Sequence, residues 1–458
     1  MELITNCSFL ENELLDVARL FKSRAEKITH AFTFEAGVFS NVFEIEGMRY
    51  EYKDEGQVCG ELEFKRLERR FAKLRLYEIL SEKYGVKMPW GALTGIRPTK
   101  LAYTEKEKGE NYIELFKKMH VGEENIRLVE RVLKSQEGIY EKSDENIAFF
   151  VSLPFCPSKC AYCSFITAPI DKTRGYLQDY LTCLEKEMRE AEKIIGKIRS
   201  VYVGGGTPFA LECKDLERVL KGITPFRIKF PKAEYTVEAG RPDVFTEEKL
   251  RLLKEYGVDR ICINPQTFSN ETLAKIGRKH TVEEFYKAYE MSEKYGFSVN
   301  IDLIAGLAEE SVETFTAGVE KAVETGADNI TVHCLSLKSG AKLKEEISYI
   351  ENNFISEMIA SSRRVLSQNG YLPYYMYRQK YQAGNNENVG WTKAGKACVY
   401  NIDVMEETAD NLAVGANGIS KRVFTEKGLI NRLGAPKDLR TYIQGVDGLI
   451  ANKRKFFE

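Results

Sequence analysis

The chain has 458 residues, 43% of them hydrophobic and 29% charged, and its 67 Lys and Arg nearly cancel 68 Asp and Glu to leave a net charge of −1. So mixed and neutral a composition excludes a disordered chain and disfavours a polyanion-binding one, so nucleic acid is not an expected partner. Ten cysteines are too few for a disulfide scaffold at this length, no apolar run approaches the ~20 residues that span a bilayer, and Met1-Glu2-Leu3-Ile4 lacks the basic start of a signal peptide; a reducing, cytoplasmic location is expected.

At ~100–200 residues per domain this length admits two to four domains. Residues 1–140 read as an N-terminal α+β domain. Alternating apolar residues at 31–35, 41–45 and 48–52 predict a small antiparallel sheet, and charged helical periodicity marks 62–84 and 123–141. Between those helices, 89–98 is a loop punctuated by Gly and Pro. Residues 141–345 form the expected core. Short apolar runs at 147–153, 200–203, 234–238, 260–264, 299–304 and 329–334 predict six strands, and amphipathic stretches at 174–195, 247–256, 282–295 and 312–324 predict crossover helices. A parallel α/β sheet curled into a partial (β/α)6 barrel is the simplest assembly, with chemistry expected at the carboxyl ends of its strands. Residues 346–458 read as a mixed α/β extension: a long helix at 352–368, an aromatic and amide-rich stretch at 374–391, and a tail.

The loop after the first core strand carries Cys156, Cys160 and Cys163 in a CxxxCxxC run. A 4Fe-4S cube normally takes four thiolates, and Ser164 and Phe165 follow where a fourth ligand would be sought, so one iron would be left open. The alternatives are a zinc knuckle or incidental thiols; structural zinc asks for four closed ligands, and the nearest histidines, His120 and His280, are distant in sequence. The second core strand ends in Gly204, Gly205 and Gly206 with Thr207, which lets backbone approach a ligand, or simply makes a tight turn. Glu238, Gln266 and Asp302 stand at or near three further strand ends, where an uncompensated polar group is costly and tends to be paired or to hold a ligand, and Arg278 is a candidate partner for a carboxylate. Structural salt bridges are the alternative.

The cysteine spacing with its missing fourth ligand resembles the radical S-adenosylmethionine (SAM) superfamily. The GGGTP run, the strand-end strings around Glu238, Gln266 and Asp302, and Gly277-Arg278-Lys279-His280 resemble its oxygen-independent coproporphyrinogen III oxidase subgroup, with Pro265 and Ala308 as departures. Pro89-Trp90-Gly91 through Lys100, Pro373 through Lys380, and Glu387-Asn388-Val389-Gly390-Trp391 resemble HemZ-type coproporphyrinogen dehydrogenases, extending the likeness over nearly the whole chain. The resemblance implies a 4Fe-4S cluster on the three cysteines, with SAM chelating its open iron. It implies that Gly204, Gly205, Gly206 and Thr207 meet the methionyl amino group, that Tyr162 packs near the adenine, and that Glu238, Gln266, Arg278 and Asp302 help hold SAM.

The activity so implied is oxidative decarboxylation of coproporphyrinogen III to protoporphyrinogen IX through a 5'-deoxyadenosyl radical, in the cytoplasm, with an electron donor such as flavodoxin or ferredoxin. A tetrapyrrole substrate with four carboxylates calls for cationic donors, for which Arg378, Lys380 and Arg97 are candidates, with Tyr377 and its neighbours Tyr374 and Tyr375 lining the ring or forming a packing seam. Two other readings stay open: a haem-handling protein on the same core, either a chaperone or an anaerobic haem-degrading methyltransferase, and a non-catalytic iron-sulfur binding module. The haem chaperones' carboxyl-terminal His-Asn pair reads Glu387-Asn388 here.

Overall fold

Period-two alternation near the amino terminus and continuous apolar runs in the middle of the chain build two different sheets, one with a solvated face and one covered on both sides. The structure, a computed structural model, describes the chain apart from residues 23, 96, 164–167, 308, 337–351, 380–384 and 426–427. It folds into two compact units, Met1–Glu130 with Arg378–Asn386, and Arg131–Tyr377 with Glu387–Glu458.

In the first unit, strands β1 (Glu2–Thr5), β2 (Lys27–Glu35), β3 (Val38–Ile45) and β4 (Met48–Glu55) lie in sequence order. β2, β3 and β4 form the expected antiparallel meander; β1 was not expected and pairs parallel to β2. Both hairpin turns, Ala36-Gly37 and Glu46-Gly47, place two successive residues at positive φ, the backbone that matches strand twist. The helix Glu61–Tyr84 buries Ala72, Leu76 and Leu80, packs Phe71 edge-on to Phe39 of β3, and ends where Gly85 takes the left-handed conformation. The helix expected over 123–141 stops at Ser135.

The second unit is built on an eleven-stranded sheet. Its strands are β5 (Asn146–Leu153), β8 (Lys197–Gly205), β9 (Glu234–Gly240), β10 (Arg260–Ile263), β11 (Ser298–Ala305), β12 (Asn329–Cys334), β13 (Leu372–Tyr377), β14 (Asn388–Thr392), β15 (Asp410–Val414), β16 (Ile419–Phe424) and β17 (Leu429–Gly434). Two short strands, β6 (Phe155–Cys156) and β7 (Ala168–Pro169), pair beside it. The order is β13-β14-β12-β11-β10-β9-β8-β5-β15-β16-β17. The six expected core strands are all present and mutually parallel, running from β12 to β5. Helices at Ile170–Ile194, Glu247–Glu255, Val282–Glu293 and Val312–Glu324 supply crossovers where amphipathic periodicity places them. The carboxyl-terminal region joins this sheet at both edges. β15 adds a seventh parallel strand outside β5, and the aromatic stretch becomes β13 and β14, with β14 antiparallel to β12 and β13 antiparallel to β14 at the edge. Gly390 permits the β13–β14 pairing, since a Cβ there would lie 1.8 Å from the Tyr375 ring.

Candidate functional site

The parallel strands deliver their carboxyl ends to one edge, and the chemistry-bearing residues collect there. β5 leads directly into the cysteine loop, whose backbone is clamped against the glycine turn ending β8. Gly206 N–H donates to Leu153 O at 2.7 Å and Thr207 N–H to Phe155 O at 2.7 Å. No other residue type fits at 206, because a Cβ would stand 2.4 Å from Phe155 O and 2.8 Å from Leu153 O. Gly205 sits at φ +105°, and a Cβ on Gly204 would meet the Glu238 carboxylate at 2.7 Å. The three glycines therefore have three separate reasons.

The cysteines are free thiols. Burial pushes the Cys156 thiol up to about 11, opposed by a hydrogen bond from Thr207 Oγ1 at 3.5 Å and raised further by the neighbouring Cys163 and Cys160. Farther along the loop, Ala161 N–H donates to Ile276 O at 3.0 Å, and the Tyr162 ring packs against Leu273, Ile276, Ile304, Leu307 and Leu335. Arg278, itself buried, donates to the Tyr162 hydroxyl at 2.9 Å and to Asn264 O at 3.1 Å. Arg241, which sequence reasoning left without a role, is gripped by Asp243 at 2.9 and 2.7 Å and donates to Ser158 Oγ at 2.6 Å, inside the CxxxC segment. Its signal was the short Gly240-Arg241-Pro242 string, which identifies no partner.

Glu238 accepts from the Tyr202 hydroxyl at 2.6 Å and from Gly205 N–H at 3.2 Å. Burial, with Asp302 adding to it, still pushes its carboxyl up to about 7 against those bonds. The Tyr202 ring stacks on Tyr400 with centroids 4.3 Å apart, so a tyrosine from the carboxyl-terminal region braces the carboxylate's partner. Gln266 holds φ +71°, an uncommon backbone for a residue with a side chain. Two ladder bonds keep it there, Gln266 N–H to Asp302 O at 3.0 Å and Ile304 N–H to Gln266 O at 2.9 Å. Its Oε1 is buried with no hydrogen-bond partner among the described residues.

Asp302 accepts from Asn300 Nδ2 at 2.8 Å and lies 3.8 Å from His333 Nε2, while His333 Nδ1 is 3.1 Å from the Tyr377 hydroxyl. His333, Asn300 and Tyr202 were missed in the sequence because each sits inside an apolar strand run where a polar residue reads as incidental. Tyr374 and Tyr375 are buried in a core cluster with Cys398 and Ile402, so for these two the packing-seam reading holds.

The remaining candidates belong to the first unit or fall outside the described residues. Arg378 belongs to the first unit, is 4% exposed, stacks over Trp90 at 5.2 Å, and donates to Leu93 O, to Gly95 O at 3.2 Å and to Asn385 Oδ1. Its guanidinium binds together the loop that resembles HemZ-type proteins. Arg97 caps the helix Pro98–Glu107 in the same unit. Lys380 lies outside the described residues.

These residues fit a cluster and SAM. Three thiols on one loop could supply three cluster ligands, a glycine turn packs directly against that loop, and an acid, an unpaired buried amide oxygen and a second acid line the adjoining strand ends. Among the described residues no three His, Cys, Asp or Glu converge as around a single ion, and no helix is long and apolar enough to cross a membrane.

Comparison with known proteins agrees with this geometry. Residues 150–322 match the Radical SAM superfamily. The chain is 35% identical over 400 residues to the oxygen-independent coproporphyrinogen-III oxidase-like protein HemZ of Bacillus subtilis, covering 83% of this chain and 79% of that protein. It is 36% identical over 194 residues to the heme chaperone HemW of Lactococcus lactis, covering 42% of this chain and about half (50%) of that one. The fold is similar to that of coproporphyrinogen III oxidase (HemN) from Escherichia coli, with a TM-score of 0.54 at 21% identity over 68% of this chain and 71% of that one. The chain belongs to the HemN/HemZ-type subgroup of the radical SAM superfamily, and its cofactors are a 4Fe-4S cluster and S-adenosylmethionine.

Proposed function

We propose that the protein is a cytoplasmic enzyme that oxidatively decarboxylates two propionate side chains of coproporphyrinogen III to vinyl groups, giving protoporphyrinogen IX. The observation that supports this reading best is the 35% identity to HemZ over most of both chains. In this reading Cys156, Cys160 and Cys163 hold the cluster, and Gly204, Gly205, Gly206, Thr207 and Glu238 receive the amino acid end of SAM. Tyr162, Gln266, Arg278 and Asp302 position the rest of that cofactor. When bound, the pair supplies a carbon-centred radical able to take a hydrogen from a propionate β-carbon.

The chain's own residues then have definable tasks. Glu238, with a carboxyl poised at about 7, accepts a hydrogen bond from an ammonium group when ionised. The Asn300–Asp302–His333–Tyr377 chain of contacts fixes a carboxylate and an imidazole at the strand ends. A one-electron donor such as flavodoxin or ferredoxin would start each cycle, and a one-electron acceptor would take up the electron released as carbon dioxide leaves and the vinyl group forms.

The HemW relatives favour a second reading, a haem-handling protein on the same core. Anaerobic turnover with SAM, a reductant and coproporphyrinogen III separates the two. Two molecules of carbon dioxide per macrocycle, lost in Cys160→Ala, would support the decarboxylase. Formation of 5'-deoxyadenosine with coproporphyrinogen left intact would reject it and turn the search to haem.

A further inference from the structure

The first unit contains a cavity of ≈ 390 Å³ lined in part by Arg97. One wall is a face of the helix Glu61–Tyr84, where Arg66, Arg70 and Lys73 recur at intervals of three and four with Leu67 between them. The opposing wall follows the helix Pro98–Glu107, from Arg97 through Lys100 and Leu101 to Lys108. With Arg69, the lining holds seven Arg or Lys against two Glu, in a chain whose total charge is −1. Arg70 and Lys108 share the single carboxylate of Glu105, at 3.4 and 3.8 Å, and Arg69 and Lys73 share Glu13, at 4.0 and 3.0 Å. Leu67, Leu93, Leu101 and Met119 give the cavity an apolar component.

Like charges at helical spacing repel one another, and the neighbouring Glu13, Glu63 and Glu105 are three carboxylates to seven cations. Cations collected in a concave site are a means of focusing and binding anions. The volume falls within the ~300–1,000 Å³ of small-molecule sites, so a polymer groove is not indicated. We infer that this cavity is a binding site for a small organic polyanion, an apolar body bearing two or more carboxylate or phosphate groups. Guanidinium forks suit both kinds of oxyanion, so their source is a matter for the test.

The test is isothermal titration of the full-length protein at ~0.15 M salt with coproporphyrin III as the polycarboxylate probe and ADP as the polyphosphate probe. One-site saturable binding of either, weakened at least tenfold in Arg66→Gln/Lys100→Gln and unchanged in Cys160→Ala, is expected. The probe that binds identifies the oxyanion. Arg97→Gln, on the second wall, repeats the measurement if the double variant loses helicity. Binding of neither probe, or binding insensitive to all these cation changes, would overturn the inference. It does not rest on the substrate proposed above, so its failure leaves that reading standing.

Discussion

Substituting Gly206 by alanine probes the junction between the glycine turn and the cysteine loop. An oxygen 2.4 Å from the new Cβ has to retreat by about 0.6 Å to reach the 3.0 Å that real Cβ contacts respect, and the two nearest atoms, Phe155 O and Leu153 O, are backbone that cannot rotate away. That retreat stretches the 2.7 Å bonds from Gly206 N–H and Thr207 N–H, and moves Thr207 Oγ1 from Cys156 Sγ. Two backbone bonds at ~0.5–1.5 kcal/mol each put the local cost at ~1–3 kcal/mol, which lowers cluster affinity roughly tenfold to a hundredfold. Iron and acid-labile sulfide per chain after anaerobic reconstitution at limiting iron report the loss, with far-UV circular dichroism confirming the fold. Gly445→Ala is the control, since it lies in the helix Leu439–Phe457 and a Cβ there meets nothing within 4 Å. Wild-type iron content in Gly206→Ala would refute the argument.

Three further expectations follow from the same contacts. SAM affinity, measured by equilibrium dialysis of the reconstituted protein, should fall as pH drops through about 7 and Glu238 protonates, and Glu238→Gln should bind at least tenfold more weakly with that pH dependence gone. Glu68 is fully buried, and burial, with Asp54 adding to it against Asn41, pushes its carboxyl up to about 8. The folded state therefore holds a proton that the unfolded state has released, stability falls as pH rises from about 4.5 to about 8, and Glu68→Gln should flatten that slope in urea titrations. Lys453 and Glu187 form an ion pair 3% and 1% exposed, with Glu187 also accepting from Tyr442 and Gly415 N–H at 2.7 Å. Lys453→Met leaves that carboxylate without its cation and should cost ~3–5 kcal/mol in denaturant unfolding.

The sequence by itself determined the cysteine loop, the glycine turn and the six core strands, because each is a local signal: thiols held by one loop, backbone freedom at one turn, apolar runs as long as one strand. It also singled out Glu238, Gln266, Arg278 and Asp302, which are conspicuous where a plain strand needs no polar group. Only the tertiary structure decided what those residues touch. That Tyr202 braces Glu238 and is itself stacked on Tyr400, that His333 joins Asp302 to Tyr377, and that Arg241 anchors Ser158 are pairings across tens to hundreds of residues. In the carboxyl-terminal region the long helix Asn352–Gln368 was legible, but the strands were not, for the same reason. Asp410–Val414 is five residues with no local mark of its place, and it becomes a seventh parallel strand only because β5 offers an open edge beside it. Likewise Arg378, chosen in sequence for its charge, is set by packing into the unit of Trp90 and Leu93. Local propensity and spacing are written in neighbouring residues, whereas strand order and side-chain partnership are settled by which distant surfaces bury one another.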